Sequence, residues 1–330
     1  LISKKTEYRK GMIGMISHFL PEGRRLTAPD NLAACATVSA LRSARDRGMI
    51  LEGRALSCST DHDLTVAVGP FTGRIPREDT ALGVAEGTTK EIAILSRVGK
   101  PVCFTIVSVS GPDSQPVLVL SRRRAQEIAQ QALMSELKPG MVIPATVTHM
   151  EPFGAFVDIG CGLVSMIGIE HISISRIPHP SCRFSVGQEI HAAVLETLPE
   201  QGRVKLTHRE LLGTWAENAA RFTVGETVVG IVRSVEEYGT FVEIAPNLAG
   251  LAESCTGLAP GQAVSVYIKN ILPEKMKIKL VIVNHALSQS HRFELRYFVT
   301  EGHLDRWVYS TPECPKRIET DFAVAACNPG

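Results

Sequence analysis

A block of this sequence recurs 85 residues downstream (225 − 140 = 85), so any fold assigned to the chain has to build it twice. GMVIPATVTHMEPFGAFVDIG, Gly140 to Gly160, is echoed by GETVVGIVRSVEEYGTFVEIA, Gly225 to Ala245: Gly, a strand-like run, an aromatic, Gly, one residue, Phe, Val, an acid and Ile. The pairing continues in VGQEIHAAVLETLPEQGRVKLTH, Val186 to His208, and PGQAVSVYIKNILPEKMKIKLVI, Pro260 to Ile282, with a shorter connection in the second copy. A fainter echo lies upstream, where Gly48 to Gly69 opens like Gly140 and Gly99 to Ser121 ends like the others. Self-similarity at a fixed period signals one supersecondary unit made several times, here three units of about 70 to 90 residues each.

Within the units apolar residues alternate, as in Ala145 and Val147, then Ala155, Val157 and Ile159, or Val228 and Val232, then Val242 and Ile244. A period of two is that of a strand with one buried face. Gly and Pro punctuate these runs closely (Pro152, Gly154, Gly160, Pro178, Pro180, Gly187, Gly202), which suits a meander of short antiparallel strands. Such strands hide their edges most simply by closing into a small barrel.

Between the units the period becomes helical. Ser121 to Leu137 places Ile128, Ala132 and Leu133 on one face, and Arg209 to Phe222 does so with Leu211, Leu212, Trp215 and Ala219. Upstream, Asp30 caps a helix running to Arg47, with Leu32, Cys35, Val38 and Leu41 on a face and Gly48 as the stop. Beyond the third unit, Arg292–Thr300 and His303–Ser310 flank Glu301-Gly302 and predict a hairpin, its Tyr297, Phe298, Trp307 and Tyr309 buried, with an irregular tail from Thr311. The expected organisation is therefore an arm and helix (1–47), a first barrel (48–122), a linker helix (123–138), a second barrel (139–208), a linker helix (209–222), a third barrel (223–285) and a C-terminal hairpin and tail (286–330).

Composition narrows the function classes. Hydrophobic residues at 44% and charged residues at 21% are globular proportions, and no run approaches the ~18 apolar residues of a membrane span. No apolar run near the start is followed by a small-residue cleavage site, so secretion is not expected. Eight cysteines without a CxxC pair or a neighbouring His at ligand spacing favour a reduced, cytoplasmic protein with Cys58 and Cys103 as small buried hydrophobes, and no metal. Phosphate-loop, dinucleotide-loop, GxSxG and HExxH patterns are missing, so neither a cofactor nor an enzyme is expected, although a spatially assembled triad leaves no local trace. The net charge of +1, and 12 Lys and Arg against 14 Asp and Glu (a net of −2) from Leu137 to His285, exclude tight binding of duplex by bulk electrostatics.

At PFGAFVDIGCG, followed by Ile167–Ile177, the sequence resembles the RNA-binding domain of the ribosomal protein S-one family, a five-stranded OB-fold barrel. The resemblance covers residues 48 to 285 as three units, strong in the second, good in the third and weak in the first. It implies a mainly β protein of three tandem five-stranded antiparallel OB-fold barrels joined by short α-helices. It also implies an RNA surface made of two aromatics, a His after the third strand and a base near the last strand: Phe153, Phe156, His171 and Arg203 in the second unit. The third keeps Tyr238, Phe241 and Lys277, with Glu253 in place of the His; the first has no aromatic around Leu64 and Thr65, Pro76 for the His and Val117 for the base.

The residue types fit that chemistry. Exposed aromatics let unpaired bases stack whatever their sequence, His can stack or hydrogen-bond to phosphate, and Arg or Lys adds a charge-assisted phosphate contact. Gly154 and Gly239 lie between the paired aromatics, where a Cβ would crowd a strand bend or an approaching nucleotide. Each residue also has a plainer reading: Phe156 and Phe241 as core, His171 as structural, Arg203 and Lys277 as solvated turn charges, and the Arg122–Arg124 triplet as a solvated helix start. Lys4, Lys5, Arg9 and Lys10 read equally as a basic arm or a disordered terminus. The expected function is an RNA-binding protein of translation that holds single-stranded RNA, messenger or ribosomal, and docks on the small ribosomal subunit through residues 1–122. The alternatives are a non-catalytic scaffold whose barrels bind protein, and an accessory chain of an RNA-processing enzyme.

Overall fold

The structure, a computed structural model, describes residues 19–284 and 292–325. The first unit folds as β1 (Leu51–Cys58), β2 (Leu64–Val68), β3 (Phe71–Ile75), β4 (Pro101–Ser110) and β5 (Val117–Ser121). The second comprises β6 (Val142–Glu151), β7 (Gly154–Asp158), β8 (Val164–Gly168), β9 (Glu189–Leu198) and β10 (Arg203–Thr207), and the third β11 (Thr227–Glu236), β12 (Gly239–Ala245), β13 (Leu248–Ala252), β14 (Ala263–Leu272) and β15 (Lys277–Asn284). Each set closes into a barrel in which the first strand neighbours the second and fourth, and the fifth strand joins the third. A ring of five strands cannot alternate direction all the way round. One pair per barrel is therefore parallel, at Arg74↔Val119, Met166↔Lys205 and Leu251↔Lys279, which corrects the expectation of wholly antiparallel barrels.

The alternating residues fill the interiors: Leu51, Val66, Phe104 and Leu120 in the first barrel, Val147, Val157, Ile190 and Leu206 in the second, Val232, Val242, Val266 and Ile278 in the third. Each such side chain contributes roughly 1.5–3 kcal/mol by leaving water. Register shifts between Ala55 and Ser57 and between Val232 and Ser234 mark bulges that let the long first strand bend and pair on both sides.

The connecting helices depart from the sequence pattern in instructive ways. Residues expected as one helix from Asp30 to Arg47 form two, Pro29–Cys35 and Val38–Asp46, because Thr37 is extended and its hydroxyl accepts from the Ala40 amide at 3.2 Å, capping the second helix afresh. Asp30 lies inside the first helix and pairs with Arg25, and Leu32 faces solvent. The helix Arg122–Glu136 buries Ala125, Ala129 and Leu133, whereas Ile128 is 37% exposed. In place of one helix over 209–222 there are a short turn, Arg209–Leu212, and a helix, Trp215–Ala219, broken at Gly213, whose φ is +82° and where a Cβ would lie 2.6 Å from the Phe298 ring. Leu211, Leu212, Trp215 and Ala219 are buried as patterned.

The chain divides into two compact units: the first barrel with its helices and the loop Asp158–Val164, and the second and third barrels with the C-terminal segment. In the first, Arg122 overturns the solvated reading of the arginine triplet. It is buried, and its Nε and Nη2 donate to the two Glu22 carboxylate oxygens at 2.7 and 3.0 Å. Burial opposes the charged form of Glu22, but Arg122, with Arg97, outweighs it and holds the carboxyl below its usual range. Cys103 is buried as expected; Cys58 is only partly so.

In the second unit Glu243, fully buried, lies between two guanidiniums. Arg183 donates to one carboxylate oxygen and Arg233, through Nε at 2.7 Å, to the other. Beside it the Asn247 side chain accepts from the Ile174 amide at 2.8 Å and donates to the Arg209 carbonyl at 2.9 Å, and the Asn247 carbonyl accepts from the Tyr309 hydroxyl. The C-terminal hairpin is formed by Arg306–Val308 and Glu319–Asp321, not by the two segments flanking Glu301-Gly302, and the tail from Thr311 supplies its second strand. Arg292–Thr300 forms no strand because its apolar side chains are engaged elsewhere: Tyr297 and Val299 pack against Ala193, Leu211 and Phe322. Trp307 and Tyr309 are buried against the third barrel. Lys4, Lys5, Arg9 and Lys10 lie outside the described residues.

Two outcomes test this packing. Glu243→Ala leaves two buried guanidiniums without a counter-charge and lowers the unfolding free energy by about 3–5 kcal/mol in urea titrations. The second concerns His208, fully buried, whose Nδ1–H donates to the Ile172 carbonyl at 3.1 Å while Nε2 accepts from the Tyr297 hydroxyl at 2.9 Å. Burial, with Arg183 nearby, lowers its pKa to about 4, so its contribution is present above pH 6.5 and is lost as pH falls towards 4. His208→Gln is less stable than the parent at pH 7, and the difference between the two narrows on acidification across that window in thermal melts.

Candidate nucleic-acid interface

The paired aromatics stand where the hairpin geometry puts them outside the barrel. Phe153 and Tyr238 lie in the tight turns leading into β7 and β12 and are 57% and 71% exposed. Phe156 and Phe241 follow on those strands, half-buried and alternating with buried Ala155 and Val157, or Thr240 and Val242. The two pairs share one geometry: ring centroids 6.1 Å apart at 88° for Phe153–Phe156, and 6.2 Å at 86° for Tyr238–Phe241. Neither pair is core. An edge-to-face pair leaves the flat face of the outer ring available for a further ring.

The register shows what surrounds them. In the third barrel a row crosses the sheet from Ser234 to Phe241, Leu251 and Lys279. The second barrel repeats it 85 residues earlier with His149, Phe156 and Met166, and Met166 pairs with Lys205. Arg203 and Lys277 open the last strands, both exposed and both without an ion pair to a described residue, whereas Lys205 is tied to Glu196 at 2.7 Å. These two cations are thus available to an anionic ligand.

His171 sits in the short helix Ile169–Ile172 after β8. It is partly buried; its carbonyl accepts from the His208 amide at 2.9 Å, its Nε2 lies 3.5 Å from Glu170, and its Nδ1 has no hydrogen-bond partner among the described residues. Burial, with Arg209 adding to it, lowers its pKa, so the ring favours the neutral state suited to stacking or to a neutral hydrogen bond. No counterpart of this helix forms in the third barrel, and Glu253 is an exposed residue directly after β13.

The glycines between the aromatics are explained by the barrel itself. A Cβ on Gly154 would lie 2.5 Å from the Ile167 carbonyl oxygen, and one on Gly239 2.5 Å from that of Ala252. The close approach is to the neighbouring strand, which by itself accounts for both glycines. In the first barrel the corresponding row is Ser57, Thr65, Arg74 and Val119, without an aromatic, and Val117 and Pro76 stand where the base and the His were sought. No group of three or more His, Cys, Asp or Glu suited to a metal is present among the described residues. The sequence reading does not single out His149, Met166 and Lys205; Lys205 lies two residues beyond Arg203 on β10, whereas His149 and Met166 join the row only through pairing between strands.

Comparison with known proteins bears on the same strands. Residues 136–209 match the family described as S1 RNA binding domain. The chain is similar to small ribosomal subunit protein bS1 of Leuconostoc lactis, 32% identical over 49% of this chain and 42% of that protein, and to bS1 of Neisseria meningitidis serogroup B, 30% identical over 64% of this chain and 37% of that protein. The chain thus spans less than half the length of these relatives. Among solved structures, a multidomain protein with nucleic acid binding domains from Streptococcus pneumoniae matches at 13% identity over 73% of this chain and 75% of that one, with a TM-score of 0.24, too low to bear on how barrels are arranged. Gly154→Ala forces the Ile167 carbonyl to move and destabilises the second unit by about 1–3 kcal/mol in thermal melts, without altering the exposed rings.

Proposed function

We propose that this chain is a single-stranded RNA-binding protein of translation, in which the second and third barrels hold unpaired nucleotides on Phe153 and Phe156, and on Tyr238 and Phe241. The observation that carries this is the same perpendicular ring pair, exposed at the same hairpin, in two copies whose other surface residues differ. The match of residues 136–209 to an RNA binding domain supports it.

Within each site the roles divide by chemistry. The outer ring, Phe153 or Tyr238, supplies a flat face for a base, and the inner ring, Phe156 or Phe241, braces it from the strand. Arg203 and Lys277 reach phosphate oxygens, and His171 adds a neutral contact in the second barrel. Barrel one lacks the rings and exposes Leu56, Val107 and Val117, so it serves as the protein-facing copy through which the chain reaches the small ribosomal subunit. These functions follow the divisions 48–122, 139–208 and 223–285, and the chain works in the cytoplasm without a catalytic role or cofactor.

Phe153→Ala and Tyr238→Ala each weaken binding of an unstructured RNA oligomer by roughly 5- to 150-fold, the equivalent of 1–3 kcal/mol per stacked base. Fluorescence anisotropy measures this, and affinity unchanged in the double variant would refute stacking. With a net charge of −2 over both barrels, the dependence on salt is shallow and duplex competes poorly.

A further inference from the structure

One position in the surface row differs between barrels in a way that the paired aromatics do not account for. On the first strand, next to the inner aromatic position, the first barrel has Ser57 opposite Thr65 and the third has Ser234 opposite Phe241. The second barrel has His149 there, 85 residues before Ser234. Its side chain is 62% exposed, and its ring lies 6.0 Å from that of Phe156 with 27° between the planes. Phe153 stands perpendicular to Phe156. The His149 Nε2 is 2.7 Å from the Glu151 carboxylate, which can only accept, so Nε2–H donates and the ring is held in orientation rather than swinging in solvent.

We infer that His149 is a third base-contacting ring, which gives the second barrel room for one more unpaired nucleotide than the third. The proposal presupposes the single-strand reading above and adds a residue and a difference between sites to it. The imidazole stacks on Phe156 across adjacent strands, and its outer face forms a shelf that a base can overlap while its neighbour occupies Phe153. The partner is a base and not a phosphate: Glu151, partly exposed and bonded to the same ring, repels an anion at this edge. Strand separation of ~4.8 Å keeps the shelf rigid, because both rings rise from paired backbone.

The sibling barrels supply the substitution that tests this without unfolding the strand. In full-length chains carrying Tyr238→Ala and Phe241→Ala, so that only the second barrel reads out, His149→Ser is expected to lower affinity for a fluorescein-labelled oligouridylate by about fivefold or more. Conversely, Ser234→His in a chain carrying Phe153→Ala and Phe156→Ala is expected to tighten binding at the third barrel by a similar factor. On adding the oligouridylate, the His149 ring-proton resonances move upfield through the ring current of a stacked base. Unchanged affinity in His149→Ser together with unmoved ring protons overturns the proposal. If Phe153→Ala still weakens binding in that experiment, the single-strand reading stands without it; if Phe153→Ala has no effect either, that reading falls as well.

Discussion

A single carboxylate, Glu243, holds together the unit that carries the rings. It is completely buried and faces Arg183, from the loop after β8, and Arg233, on β11, so three charges share a space without water. Desolvating them costs several kcal/mol per ion, offset by the two guanidiniums on the two carboxylate oxygens, while Arg183 Nε is left without a hydrogen-bond partner among the described residues. Ser173, donating to the Asn247 side chain and accepting from Arg183, continues the network towards the turn between β12 and β13. An arrangement that tolerates so little displacement selects one packing of residues 173–183 against the third barrel, which hydrophobic contact alone would not specify.

The same acid belongs to the repeat that first defined the fold. Along β12, Phe241 and Glu243 point to one side of the sheet, as residues two apart on a strand must. The ring is left partly open and the acid is covered. In the second barrel the corresponding acid is Asp158, two residues beyond Phe156. It is also buried and accepts from the amides of Gly160 at 2.8 Å, Gly162 at 3.0 Å and Glu22 at 2.8 Å. Burial, with Glu22 adding to it, raises the Asp158 pKa to about 7. In both copies, then, one strand face is shared: its first half presents rings to a ligand, and its second half is consumed in packing. The motif of Phe, Val, acid and Ile therefore encodes a site and its support in four consecutive positions.

How much of this was legible follows from how local each signal is. Strand alternation is local, so the strands could be read directly, and closure into a small barrel followed from the need to hide edges, whereas the number of five strands and the aromatic surface came from the family resemblance. The parallel pair was missed although topology requires it, because pairing between the third and fifth strands leaves no sequence mark. Arg122 read as a solvated charge because its partner, Glu22, is 100 residues away. The split helices turned on Thr37 and Gly213, where one capping hydroxyl and one crowded ring outweighed a continuous helical period. The C-terminal segment misled for a similar reason: Tyr297 was committed to His208 and to the amide of His191, partners that no hairpin pattern could reveal.

The near-neutral charge takes its meaning from where the cations are. Of the Lys and Arg in the second and third barrels, Arg183 and Arg233 are spent on Glu243, Lys205 on Glu196 and Arg209 on Glu210, while Arg203 and Lys277 open the corresponding last strands and Lys279 lies in the row with Phe241. With so few cations along each row and a net charge of −2 over Leu137 to His285, the surface cannot hold a nucleic acid by counter-ion release; its affinity has to come from flat apolar faces. Differences between barrels then lie in how many faces each row presents: none across Ser57 and Thr65, a pair beside Ser234, and a pair extended by His149. Because the bonded backbone of every barrel is the same, exchanging these few outward residues changes what a barrel binds while leaving its closure untouched.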